Sequence, residues 1–167
     1  NYSYNGNGYV LEKLDENGYR TAYAYDGLNN LLSETDVLGG VLQYTYDAYG
    51  NCSGVTNRTG AQIQYTYDGA GRKLTATDAN GNTTAYGYDG EGNLTTITAP
   101  DGSVETMIYN SDSLSVGRTD GNGHTVSCTY DACGRILTET DGEGGLVSHA
   151  YDAAGNRIST TDARGNV

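Results

Sequence analysis

The chain has 167 residues, with 25 Gly and 16 Tyr, one Pro, one Met, no Trp and no Phe, and a formal net charge of −12. That length can bury an ordinary core, but so few large apolar side chains argue against a dry interior. The acidic balance repels phosphate backbones, and no apolar run approaches the roughly 18 residues of a membrane span, so neither nucleic-acid binding nor membrane insertion is expected.

Taken in chain order, the elements repeat. A Tyr followed by Asp or Asn recurs every 21 residues, at Tyr4, Tyr25, Tyr46, Tyr67, Tyr88, Tyr109, Tyr130 and Tyr151. Fourteen residues after each anchor stands Gly18, Gly39, Gly60, Gly81, Gly102, Gly123, Gly144 or Gly165. A fixed period along a whole chain is the mark of a repeat architecture, here eight tandem copies over residues 1–167 with no second domain.

Each copy reads as two turns and two strands. Asp15, Asp36, Asp78, Asp120, Asp141 and Asp162 stand three residues before the periodic Gly, with Asn57 and Ala99 in the other two copies. The anchor opens a similar turn about ten residues away, as in Asp47-Ala48-Tyr49-Gly50 and Asp68-Gly69-Ala70-Gly71. Asp at the first position bonds forward to the backbone, and Gly at the fourth takes the left-handed region. Turns are therefore expected near residues 47–50, 57–60, 68–71 and 78–81. Asn29 replaces Gly tolerably, and Ser113 is expected to distort its turn.

Between turns lie short segments rich in Thr, Tyr, Val, Ile and Leu, such as 62–67 and 135–140, which suit strands. Tyr-x-Tyr pairs at 2/4, 23/25, 44/46, 65/67 and 86/88 place both rings on one face, and Met107, Cys128 and His149 take the first Tyr's place later. The expected fold class is all-β: a repetitive antiparallel meander, two strands per repeat, curled by strand twist into a spiral ribbon or partial β-shell.

Several segments invite chemistry and are explained without it. Asp78-Ala79-Asn80-Gly81-Asn82 and Asp120-Gly121-Asn122-Gly123 echo a calcium loop, but the period puts strand residues where a bidentate Glu is needed. His124 and His149 lack the spacing of a zinc site. Cys52, Cys128 and Cys133 do not follow the period, so no disulfide framework is expected. Asn-x-Ser/Thr sequons, such as those that begin at Asn51, Asn57, Asn82 and Asn93, are what an Asn/Thr-rich repeat produces by chance. No catalytic residue, metal or cofactor is expected. The repeated Gly and Tyr residues are expected to be structural, because chemistry needs one unique cluster.

Repeats such as Tyr65-Thr66-Tyr67-Asp68-Gly69-Ala70-Gly71-Arg72-Lys73-Leu74 and Tyr130-Asp131-Ala132-Cys133-Gly134-Arg135 resemble the YD repeat, also called the RHS repeat. Bacterial Rhs and wall-associated polymorphic toxins, the C component of insecticidal toxin complexes, and teneurins contain such arrays. The resemblance implies a non-enzymatic wall module of a secreted or cell-surface bacterial protein, enclosing a C-terminal toxin or other cargo. It implies flanking repeats and that enclosed polypeptide as partners. The family's self-cleaving core segment has no counterpart here, and the pattern reads as a piece of a longer array. Two alternatives stay open: a carbohydrate-binding or adhesive surface, since Tyr rings stack on sugars, and self-association edge to edge through open strands.

Overall fold

The computed structural model describes residues 1–167. Its strands are β1 (Tyr2–Tyr4), β2 (Val10–Leu14), β3 (Arg20–Tyr25), β4 (Leu31–Thr35), β5 (Val41–Tyr46), β6 (Cys52–Thr56), β7 (Gln62–Tyr67) and β8 (Lys73–Thr77), followed by β9 (Thr83–Tyr88), β10 (Leu94–Thr98), β11 (Val104–Tyr109), β12 (Ser115–Thr119), β13 (Thr125–Tyr130), β14 (Ile136–Thr140), β15 (Leu146–Tyr151) and β16 (Arg157–Thr161). The chain is all-β, as its turn chemistry and strand composition require, with no helix. Sheet order follows chain order, giving one open antiparallel meander of 16 strands. Residues Asn1–Thr84 and Ala85–Val167 form two compact units.

Both turn classes close in the same way. At Asp47, the Gly50 N–H donates to the Asp47 carbonyl at 3.1 Å and the Asp47 N–H donates to the Asn51 carbonyl at 2.9 Å. At Asp78 the matching bonds come from Gly81 (3.0 Å) and to Asn82 (2.9 Å). Gly81 has φ 85°, a region that a Cβ disfavours, and a Cβ there would meet no neighbouring atom within 4 Å. The penalty for replacing it is therefore backbone strain alone.

The expected distortion at Ser113 is not found. Ser113 adopts φ 58° and donates its N–H to the Asn110 carbonyl at 3.0 Å, as Gly does elsewhere. Asn110 Oδ1 accepts from the Asp112 and Leu114 amides at 3.0 and 2.9 Å. Those bonds hold the loop, so the strain stays on one residue instead of opening the turn.

The two hairpin classes differ in one respect that turn chemistry alone conceals. In the Asn1–Thr84 unit, Ala24 pairs with Ser33 but Tyr25 pairs with Leu31, so a β-bulge lies beside the anchor Tyr. The next hairpin, Ser33↔Gln43 to Thr35↔Val41, is regular. In the Ala85–Val167 unit the same contrast holds between Tyr130↔Ile136 with Thr129↔Thr138, which is bulged, and Thr138↔Ser148, which is regular.

The bulge is what an odd period needs. Tyr23 faces Glu34, which faces Leu42, so the lateral neighbour two strands on is 19 residues ahead. Tyr44 lies two residues further along the same strand and hence on the same face. Had the Tyr25↔Leu31 register continued unshifted, the neighbour would be 20 residues ahead. Each successive Tyr would then land on the opposite face. One extra residue per repeat restores the parity.

No apolar side chain is fully buried, and the chain exposes 10682 Å². A compact globule of 17.6 kDa would expose about 7,900 Å². Both faces of the sheet are therefore at least partly wet. One face carries the Tyr columns together with Lys13, Glu34, Lys73, Glu105, Arg118, Glu139, His149 and Arg157, all placed there by ladder pairing. The opposite face carries mostly Thr, Ser, Ala, Gln and Gly, with apolar Leu14, Val41, Val104, Ile108 and Leu146, and with charge only at Glu12 and Arg20, which pair at 2.9 Å. Its hydroxyls bond across strands at Thr66–Thr75 (2.7 Å), Thr77–Thr83 (2.8 Å) and Thr129–Thr138 (2.6 Å).

Candidate functional site

The turn carboxylates form the first repeated device. Asp47 Oδ1 accepts from the Tyr49 and Asn51 amides, both at 2.9 Å, and Oδ2 accepts from Asn51 Nδ2 at 2.9 Å. Asp78 is held likewise by Asn80 and Asn82. At Asp68 and Asp131 the side-chain donor is Arg72 or Arg135, with Nε at 2.7 and 2.6 Å. The side-chain bond from Asn51 holds the Asp47 carboxyl below its ordinary pKa, opposed by burial; Asn82 acts in the same way on Asp78. At Asp47 three of the roughly four lone-pair sites of the carboxylate are thus turned into the loop.

The glycines lie in these turns. Gly18, Gly39, Gly60, Gly81, Gly102, Gly123, Gly144 and Gly165 have φ of 79–86°. Each of them except Gly102 donates to the carbonyl of an Asp or Asn; Gly102 donates to that of Ala99.

The anchor hydroxyls form the second device. The bulge leaves the first carbonyl of each even strand beyond the regular ladder of the next hairpin. Tyr25 donates to the Val10 carbonyl (2.9 Å), Tyr46 to Leu31 (2.9 Å) and Tyr67 to Cys52 (2.7 Å). In the other unit Tyr130 donates to Ser115 (2.8 Å) and Tyr151 to Ile136 (2.9 Å). Each bond spans 15 residues and ties one repeat to the one before. Burial pushes the Tyr46 and Tyr67 phenols up in pKa, so they remain donors. Sequence reasoning placed the Tyr columns but missed this bond, whose only signal is the invariant Tyr where Phe would fill the same space.

The repeat is broken on the Tyr face of the Ala85–Val167 unit, where Met107, Cys128 and His149 replace the first Tyr. Ladder pairing sets Met107 beside Arg118, with Val126 on the far side of Arg118; Cys128 beside Glu139, with Val147 on the far side of Glu139; and His149 beside Thr160. Arg118 grips Glu105 twice, Nε to Oε1 at 2.5 Å and Nη2 to Oε2 at 2.9 Å, which holds the Glu105 carboxyl below its usual range. The His149 ring meets Glu139 Oε2 through Nε2 (3.0 Å) and Thr160 Oγ1 through Nδ1 (3.0 Å), with its side chain only 7% exposed. Both ring nitrogens are thus hydrogen-bonded to neighbouring strands. His124 instead sits in a turn, 3.2 Å from Asp120. Cys52, Cys128 and Cys133 are free thiols.

Next to Cys128 a recess of about 390 Å³ opens, lined by Ser115, Arg118, Val126, Glu139 and Val147 among others. Cys128 Sγ lies 2.9 Å from the Ser115 carbonyl and 3.2 Å from the Tyr130 hydroxyl.

No curated protein matches the chain. Among solved structures it is similar to the complex TcdB2-TccC3, with a TM-score of 0.75 at 18% identity over 99% of this chain and 12% of that one. It is also similar to TcdB2-TccC3-Cdc42, with a TM-score of 0.74 at 19% identity over 96% of this chain and 11% of that one. A third likeness is to the Photorhabdus luminescens Tc holotoxin pore, with a TM-score of 0.57 at 17% identity over 99% of this chain and 12% of that one. At these identities the likeness is one of fold, and the chain spans about a tenth of the length of the structures it matches. The family described as RHS Repeat matches residues 4–41, 25–62, 46–83, 67–104, 109–146 and 137–167, and most of these windows begin on an anchor Tyr. With the matched windows covering most of its residues, the chain belongs to the RHS repeat family.

Proposed function

We propose that residues 1–167 are one uninterrupted run of eight RHS repeats within a longer array, and that the array is the wall of a shell around a C-terminal polypeptide. The protein is read as a secreted or surface-exposed bacterial toxin of the polymorphic class. The wall is non-enzymatic: its work is steric, keeping solvent and proteases from an enclosed chain. In this reading the periodic glycines and anchor tyrosines are scaffold residues, repeated because each repeat needs the same lock.

The observation that carries the reading is a wide sheet without a dry core. Its order comes from turn carboxylates, cross-strand ladders and Tyr hydroxyls that join neighbouring repeats. A sheet of that kind adds area at constant cost per repeat, which suits a wall better than a site. Likeness of fold to parts of Tc complexes is consistent with it.

The test is protease protection in the full parent protein. Polypeptide downstream of the array is expected to resist a protease that digests the same segment expressed alone. Equal digestion rates of the two forms would reject enclosure.

A further inference from the structure

Because the period is constant, positions in different repeats can be compared one to one. Glu34, Asp36, Gly40 and Arg58 correspond to Glu139, Asp141, Gly145 and Ala163. Ladder pairing agrees: Glu34 stands between Tyr23 and Leu42, and Glu139 between Cys128 and Val147. In the Asn1–Thr84 unit one guanidinium holds both carboxylates. Arg58 Nε lies 2.8 Å from Asp36 Oδ2, and its Nη2 donates to Glu34 Oε1 at 3.1 Å. The arginine stem crosses Gly40, where a Cβ would stand 2.9 Å from Arg58 Cδ and 3.2 Å from its Cγ.

In the Ala85–Val167 unit the carboxylates and the glycine remain, but Ala163 stands where the arginine would be. Asp141 Oδ1 accepts from the Glu143 and Gly145 amides at 3.0 and 2.7 Å. Gly145 has no side chain to bond Oδ2 as Asn51 bonds that of Asp47. The three atoms nearest to where a Gly145 Cβ would stand all belong to Asp141, so no stem crosses this glycine as closely. Glu139 meets His149 through Oε2, yet its side chain is 54% exposed, against 30% for Glu34 under Arg58. The two carboxylates and Gly145 line the recess of about 390 Å³. Arg164, one residue beyond Ala163, donates its amide to Asp162 at 2.9 Å and forms no ion pair with either carboxylate.

We propose that Glu139 and Asp141 bind the guanidinium of an arginine side chain presented by a partner polypeptide. The occupant is the group that the corresponding residues, Glu34 and Asp36, already hold. A guanidinium offers donors in a planar fork that serves two carboxylates at once, whereas an ammonium is a point charge. Gly145 leaves the approach open, and Val147 gives the aliphatic stem an apolar surface. Arg118, the one cation on the lining, is held by both oxygens of Glu105 and sets no free positive charge against the ligand. The site is independent of whether the array encloses anything.

The test is a titration of the 167-residue chain with N-acetyl-L-arginine methylamide, in about 0.15 M salt to screen the −12 net charge. NMR reads the Gly145 amide and the side-chain carboxyl carbons of Glu139 and Asp141. Saturable shifts are expected there, and the capped lysine analogue should bind at least about threefold more weakly. Ala163→Arg supplies the missing guanidinium from the chain itself and should abolish binding. Asp141→Asn should weaken binding by at least about threefold while keeping the turn, whose bonds Asn57 makes at the corresponding position. Absence of saturable shifts, equal affinity for the arginine and lysine compounds, or unchanged affinity in a folded Ala163→Arg or Asp141→Asn variant overturns the proposal.

Discussion

Tyr67→Phe removes one oxygen and nothing else from the sheet. In the native chain that hydroxyl donates to the Cys52 carbonyl at 2.7 Å, across the boundary between two repeats. The carbonyl lies past the Gly54↔Gln64 end of the regular ladder, so no strand amide replaces the lost donor. A net hydrogen bond is worth about 1 kcal/mol, and the partly buried acceptor left behind keeps the loss near that figure. For a chain of this size that is a fall of about 3 °C in Tm. The staples at Tyr25, Tyr46, Tyr67, Tyr130 and Tyr151 sit in different repeats and should add, so the fivefold Phe variant should lose about 5 kcal/mol, a large part of an ordinary domain's stability. Urea unfolding followed by far-UV circular dichroism reads the effect. Tyr49→Phe is the control, because that ring is 85% exposed in a turn. If Tyr67→Phe matches Tyr49→Phe within about 0.3 kcal/mol, the hydroxyl is not a staple and the reasoning fails.

Gly81→Val should destabilise by about 1–3 kcal/mol through strain at positive φ, and Gly81→Asn by less, as Asn29 already holds φ 66°; equal midpoints for the two variants would show that conformation is not the cause. The reverse change, Ser113→Gly, relieves φ 58° and should raise the urea midpoint. Stability should also fall in acid. The carboxyls of Asp47, Asp78 and Asp152 are held below their ordinary pKa, chiefly by side-chain bonds from Asn51, Asn82 and Asn156. A depressed folded pKa gives stability that is full above the unfolded value, about 3.9, and is lost as pH drops through the folded one. Urea midpoints in 0.15 M salt, which screens the −12 net charge, should therefore decline below about pH 4; a midpoint that rises steadily down to pH 3 would contradict this.

Much of the fold is legible because its information is local. Asp47 and Gly50 specify their loop from within five residues, and the Thr- and Tyr-rich segments between such loops have only one register that keeps the rings together. What escaped is set by pairing across strands. The bulge at Tyr25↔Leu31 follows from an odd period and two equal loops, yet it becomes visible only when partners are known. The hydroxyl bond from Tyr67 to Cys52 depends on that bulge and is hidden for the same reason. Ser113 misled because its side chain, read alone, disfavours positive φ, while Asn110 enforces it from outside. The replacement of Tyr by Cys128 was legible in the sequence, but the recess beside it was not, because its walls come from three other strands.

The central claim is that order is distributed, each repeat locked to its neighbour with no shared core. Hydrogen–deuterium exchange on the 167-residue chain measures this directly, amide by amide. Protection should repeat every 21 residues, similar in β4, β6, β12 and β14, with the Asn51 and Asn82 turn amides slowed by their Asp partners. One slowly exchanging block flanked by strands that exchange freely would mean that a local core holds the chain, and would contradict the account.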